Sequence, residues 1–327
     1  MTKPNRVDVD TKRRRIDELM TTATKHYVRR QVWLPIAKAR KDVLQRPIRY
    51  FTLTTPDLLD VRLFEREGLI GRSGRGYPGL GFCERSDKRY SDIIQGLRSC
   101  HLAYKGTFEE MALQDNLLEV NFDFDVINLD FTWVPFPENE SPLDGTWGAI
   151  RRVLEVQWSN ETGFDLFLTF NGSKQGTDDN SVDQLADLLE DNLAAGRGVT
   201  QFSSRVGHRD AKRLMSEDYL TFLSLGLPKM FVSDALQIGF RLSRRQVYRY
   251  SRVTRKRTYH ILIFVFSLEI PDMGHDFAAR PGTVIQYDNE VPQIFESAIV
   301  DIDNIMDSDP NLKVDLEEDL DGLRSNS

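Results

Sequence analysis

Residues 241–260, RLSRRQVYRYSRVTRKRTYH, bring Arg241, Arg244, Arg245, Arg249, Arg252, Arg255, Lys256 and Arg257 together with interleaved Tyr248, Tyr250 and Tyr259. In a strand, side chains alternate between faces, so Tyr248, Tyr250 and Arg252 share one face and Arg249 the other. Arginines beside exposed aromatic rings can track a phosphate backbone and stack on bases. The same segment fits an edge hairpin that charge guards against strand-to-strand aggregation. It also fits a docking surface for an acidic protein partner.

Other candidate chemistry lies at loops that follow apolar runs. In RYFTLTTPDLLDVRLFEREGLI, residues 49–70, a strand, a tight turn and an amphipathic helix follow one another. The turn, TTPD, contains no glycine, yet the hydroxyls of Thr54 and Thr55 can meet a polar ligand. A strand-turn-helix start also presents helix amides to an anion. NGSKQG, residues 171–176, puts Asn171 and Lys174 where ligands bind in open α/β sheets, and its glycines also suit a plain turn. FSSRVGHRDAKR, residues 202–213, suits a phosphate or a carboxylate, but a serine near a histidine makes no nucleophilic site without an orienting third group. The two cysteines and five histidines show no zinc-type spacing, so no metal site is expected.

The elements that must position these residues alternate. Apolar or β-rich runs at 48–54, 80–84, 100–106, 125–130 and 164–172 are separated by helical patterns, the last of them NSVDQLADLLEDNLAAG at 180–196. Parallel strands need such crossovers, which predicts a mostly parallel sheet covered on both faces. After a helical region near 210–238, RQVYRYSRV and TYHILIFVFSLEI are joined by a short polar turn, which reads as an antiparallel hairpin. Three segments are expected: a basic helical extension over 1–47 in which Pro35 breaks or kinks the helix, a central domain over 48–275, and an acidic, partly disordered tail over 276–327.

The net charge of -7 hides a polarity. Residues 1–50 hold 14 Lys or Arg against 5 Asp or Glu, and residues 301–327 hold 9 acidic groups against Lys313 and Arg324. No run approaches the ~20 apolar residues of a membrane span, and the first residues have no apolar signal core. The expectation is a cytoplasmic protein without membrane contact.

The order of elements over 48–271 resembles that of the class I S-adenosylmethionine-dependent methyltransferases, a Rossmann-like α/β fold. In that family a seven-stranded, mostly parallel sheet has helices on both faces and takes its seventh strand antiparallel from a C-terminal hairpin. The resemblance implies S-adenosylmethionine as cofactor, with Thr54, Thr55 and Asp57 standing in place of the family's glycine-rich turn. It places Glu84, in GFCERSDKRY, on the cofactor ribose, where a carboxylate matches a cis-diol; alone, Glu84 is also an acceptable surface residue ending a strand. Thr107, with Glu109 just beyond, falls near the adenine. FDVINLDFTW is similar to the strand and turn carrying the D-P-P-Y motif of amino-methyltransferases, which implies that Asp130 accepts a target amine and Trp133 stacks on it. Phe131 and Thr132 replace the two prolines, and Asp130 capping a strand under a Trp133 lid is the plainer alternative. The implied function is a methyltransferase-like protein acting on or with nucleic acid, bound through Arg244, Arg245, Tyr248, Arg249, Tyr250, Arg252, Arg255, Lys256 and Arg257. The other reading is a pseudoenzyme: a non-catalytic scaffold subunit in a protein complex or homo-oligomer.

Overall fold

A computed structural model describes residues 22–72, 76–97, 99–113, 122–138, 145–159, 163–253, 258–271 and 283–325. Five parallel strands alternate with helices: β1 Tyr50–Thr52, β2 Tyr77–Cys83, β3 Cys100–Tyr104, β4 Val126–Asp130 and β5 Phe164–Asn171. The hairpin β6 Arg241–Val253 and β7 Thr258–Glu269 follows. The sheet order is β3-β2-β1-β4-β5-β7-β6-β8, with β7 antiparallel between β5 and β6. The expected Rossmann-like α/β fold with its antiparallel hairpin is thus present, and β8, Ile299–Asp301, adds an eighth strand parallel to β6.

Period-two burial explains why the central strands read as continuous apolar runs. Leu166, Leu168 and Phe170 of β5 face one core, shared with helices Thr146–Ser159, Asp179–Ala194 and Tyr219–Ile238. Phe167 faces the other, shared with the N-terminal helices and Leu59–Arg66. Burial on both sides removes the polar face that a half-exposed strand would show.

The terminal segments differ from their expected roles. Helix α1, Ala23–Tyr27, runs through a π-helical turn, Val28–Trp33, into α2, Leu34–Leu44, with Pro35 in the first turn of α2. The helical run is thus not broken at Pro35, which follows the π-turn, and it packs on the sheet rather than extending from it. Trp33 is buried and stacks on Phe167 of β5 with centroids 5.7 Å apart. Part of the basic charge described in this segment is paired with carboxylates: Arg40 donates to Asp165 at 2.8 Å and Arg46 to Asp125 at 2.7 and 2.9 Å. Residues 283–325, expected as part of a tail, instead form three helices and β8. The apolar stripe Leu316, Leu320 and Leu323 is buried because it recurs every third or fourth residue among the acids.

The first and last described helices clasp each other. The buried His26 Nε2 donates to Asp319 at 2.7 Å, and Arg30 and Arg66 converge on the same carboxylate. Burial pushes the His26 pKa down to about 4, against the pull of Asp319. Burial works to raise Asp319, but its bonds with Arg66 and His26 outweigh this and bring it to about 2. Both groups then act in the same direction. The folded chain takes up a proton at His26 less readily than the unfolded chain, so stability falls as the pH drops from about 6.5 towards about 4. The contribution of Asp319, complete above its ordinary 3.8, is lost on further descent through about 2. Urea unfolding at pH 7 and pH 4.5 is expected to differ by about 2–3 kcal/mol from His26, and His26→Gln should flatten that window. An unchanged pH profile in His26→Gln would show that the clasp does not titrate as described.

Candidate functional site

The cleft forms where parallel strands end. The carboxyl ends of β1, β2, β3 and β4 and the loops after them enclose about 400 Å³, lined by Leu53, Thr54, Thr55, Cys83, Glu84, Arg85, Arg89, Gly106, Thr107, Phe108, Glu109, Asp130, Thr132, Trp133 and Gly145. This size suits a small organic ligand. Six residues singled out in the sequence meet here: Thr54, Thr55, Glu84, Thr107, Asp130 and Trp133. Asp57 does not line the cleft.

The turn after β1 is tight without glycine. The amide of Leu58 donates to the carbonyl of Thr55 at 2.9 Å, and Leu58 adopts φ +52°. A left-handed leucine is disfavoured by its Cβ, and it places the start of helix α3, Leu59–Arg66, later than Pro56 suggests. What holds the turn is Asp60. Its carboxylate accepts from the hydroxyls of Tyr50 at 2.6 Å, Thr52 at 2.7 Å and Thr54 at 3.3 Å, all buried. Thr54 lines the cleft, and its hydroxyl proton is shared between Asp60 and the Thr55 carbonyl at 3.2 Å.

On the β2 side, Glu84 Oε1 accepts from the amide of Ser86 at 2.7 Å, which fixes the carboxylate at the strand end. Cys83 beside it is buried, and burial together with Glu109 and Glu84 keeps its thiol well above its ordinary range. It is therefore a poor nucleophile. Thr107 and Glu110 cap the next helix reciprocally, with the Thr107 amide on Glu110 at 2.8 Å and the Glu110 amide on Thr107 at 3.1 Å.

The β4 side is locked by residues distant in sequence. Trp133 Nε1 donates to the hydroxyl of Thr146 at 3.0 Å, which donates to Glu109 at 2.7 Å. The indole is thus held against the cleft wall, packed on Phe131. Asp130 makes a close ion pair with Lys25 of α1, and both side chains are largely buried. Burial lowers the pKa of Lys25 and the Asp130 charge opposes that effect. Lys25 escapes sequence reasoning because nothing in TTATKHY distinguishes it from a solvated helix lysine. Arg85 and Arg89 follow Glu84 so closely that their presence in the cleft was readable from GFCERSDKRY. Asn128, inside β4, donates to the Tyr50 hydroxyl at 3.1 Å, while its Oδ1 is buried without a partner.

The basic hairpin is largely engaged within the chain. Arg245 pairs with Glu290 and contacts Gln293, Arg249 pairs with Asp301 at 2.9 Å, and Tyr250 is buried. Tyr248 is half-buried and its hydroxyl donates to Gln246 at 2.9 Å. Arg244 and Arg252 keep partial exposure, and Arg255, Lys256 and Arg257 lie outside the described residues. Among the described residues, no cluster of His, Cys, Asp and Glu suits a metal ion, and no helix is long and apolar enough to cross a membrane.

A family model described as PP_RS20740-like matches residues 23–323. The chain belongs to the PP_RS20740-like family. The matched span takes in both Lys25 and Asp319, so the clasped ends fall within the region that defines PP_RS20740-like proteins. No curated protein matches the sequence. Among solved structures, a Listeria monocytogenes protein provisionally assigned to the class I S-adenosylmethionine-dependent methyltransferases is similar at 13% identity and a TM-score of 0.35. The alignment covers 80% of this PP_RS20740-like chain and 69% of that one.

Proposed function

We propose that the cleft binds a nucleoside-containing ligand of the S-adenosylmethionine class, and that the protein with Asp130 paired is a ligand-binding methyltransferase-fold subunit rather than a working transferase. The observation that carries this reading is the convergence of Thr55, Glu84, Thr107 and Trp133 on one cleft at the ends of adjacent parallel strands. Glu84, anchored by the Ser86 amide, keeps acceptor capacity for a ribose diol. The residues suit the ribose and base end better than the amino-acid end, where Pro56 offers no amide and Thr54 is turned towards Asp60. An amine arriving at Asp130 would compete with Lys25 for its carboxylate.

Calorimetric titration with S-adenosylmethionine and S-adenosylhomocysteine tests the reading. Micromolar binding is expected, weakened at least tenfold, about 1.4 kcal/mol, by Glu84→Ala. Absence of heat at millimolar ligand would remove the proposal. A second reading, methyl transfer to a nucleic-acid amine, is favoured by Trp133 standing beside Asp130 in the same cleft. It requires the Lys25–Asp130 pair to open, and transfer to an oligonucleotide by the intact protein would establish it.

A further inference from the structure

Arg29 is a buried cation that the ion pairs of the described residues leave out. The residue is 7% exposed, and its Nε and Nη1 have no hydrogen-bond partner. A desolvated charge without a counter-charge costs several kcal/mol, so such groups are ordinarily paired. Nearby carboxylates are occupied: Lys25 holds Asp130, and on the same helical run His26, with Arg66, holds Asp319.

Lys25 and Arg29 are four residues apart and share one face of the helix. Opposite them stands Tyr250 of β6, 6% exposed, close enough to feel Asp130, Arg29, Arg252 and Asp303 together. Lys25 and Arg29 thus share the surroundings of Tyr250 with Asp130 and Asp303, and Asp130 is already paired with Lys25. Asp303 already accepts from the amide of Ser251 at 2.6 Å. Burial and the Asp130 charge hold the Tyr250 phenol above its ordinary range, so it remains protonated and able to donate.

We propose that Arg29, with Lys25 and Tyr250 beside it, is an oxyanion subsite adjoining Asp130, which takes a phosphate or carboxylate group of a molecule reaching Asp130 from the β6 side. A planar guanidinium engages such a group through two parallel N–H donors. Lys25, Arg29 and Tyr250 do not line the cleft, and the subsite stands whether or not a nucleoside fills it.

Thermal melts and calorimetry on the full chain test it, with inorganic phosphate and acetate as separate probes and chloride at matched ionic strength as reference. The expected result is saturable stabilisation by one oxyanion at millimolar concentration or below, with no effect of chloride. The probe that binds distinguishes a phosphate-bearing from a carboxylate-bearing molecule. Arg29→Met should weaken binding at least tenfold, and Arg29→Lys should retain part of it. Response to neither anion, or an equal response in wild type and Arg29→Met, would overturn the proposal. If Arg29→Met does not fold, wild-type crystals soaked in tungstate decide: density against the Arg29 guanidinium upholds the subsite, and density only elsewhere overturns it. No nucleoside enters these measurements, so their failure and that of the cleft reading are separable.

Discussion

Lys25→Met is expected to destabilise the protein by about 3–5 kcal/mol, the range for removing one partner of a buried ion pair. The loss arises from the carboxylate left behind, because Asp130 sits at the end of β4 with only 14% of its side chain exposed. Removing both charges should therefore cost far less than removing one. Lys25→Met combined with Asp130→Leu is expected to recover to within about 1–2 kcal/mol of wild type, since an apolar pair of similar volume often replaces a buried salt bridge without penalty. Urea unfolding of the two single variants and the double variant gives the coupling directly. Additive losses would mean that the two residues are not a pair in solution. The same cycle bears on function, because Asp130 can serve an incoming amine only in a state where Lys25 has let go.

The second large effect is expected at Asp60. Its carboxylate takes the hydroxyls of Tyr50, Thr52 and Thr54 in a buried position. Hydrogen bonds to charged groups contribute about 1.5–3 kcal/mol each, and each donor left unsatisfied adds its desolvation cost. Asp60→Leu should cost at least about 3 kcal/mol, and Asp60→Asn, which keeps an acceptor, clearly less. Because Asp60 also fixes the turn after β1, Asp60→Asn should weaken nucleoside binding more than it weakens the fold. Equal losses in Asn and Leu variants, measured by unfolding midpoint, would assign the site to packing alone.

Much of this architecture was legible because it follows from local pattern. Apolar runs such as VINLD and FDLFLTF, separated by helix-length amphipathic stretches, dictate parallel strands and crossovers. Glu84, Thr55, Thr107 and Trp133 were legible for the same reason: each follows directly on a strand, and parallel topology carries all such positions to one edge. What escaped depends on contacts across the whole chain. Lys25 reaches Asp130 over a separation of 105 residues, and His26 reaches Asp319 over 293. No spacing rule links such positions. The acids of the last helices likewise read as tail composition, although Glu290 and Asp301 neutralise Arg245 and Arg249 of the hairpin. Charge counts describe a segment taken alone; pairing is a property of the assembled fold.

The clasp between α1 and the last helix has a consequence for biosynthesis. The first described helix waits for a carboxylate near residue 319, and central β5 waits for β7 to cover its open edge. A ribosome adds about 5–20 residues per second, so the nascent chain carries an unfinished sheet and an unclosed buried charge cluster for many seconds. Contacts of such long range slow folding and leave apolar edges exposed to other chains during that interval. Arrest of translation before residue 299 is therefore expected to yield a chain sensitive to protease at its N-terminal helices, even though every residue of those helices has long been made.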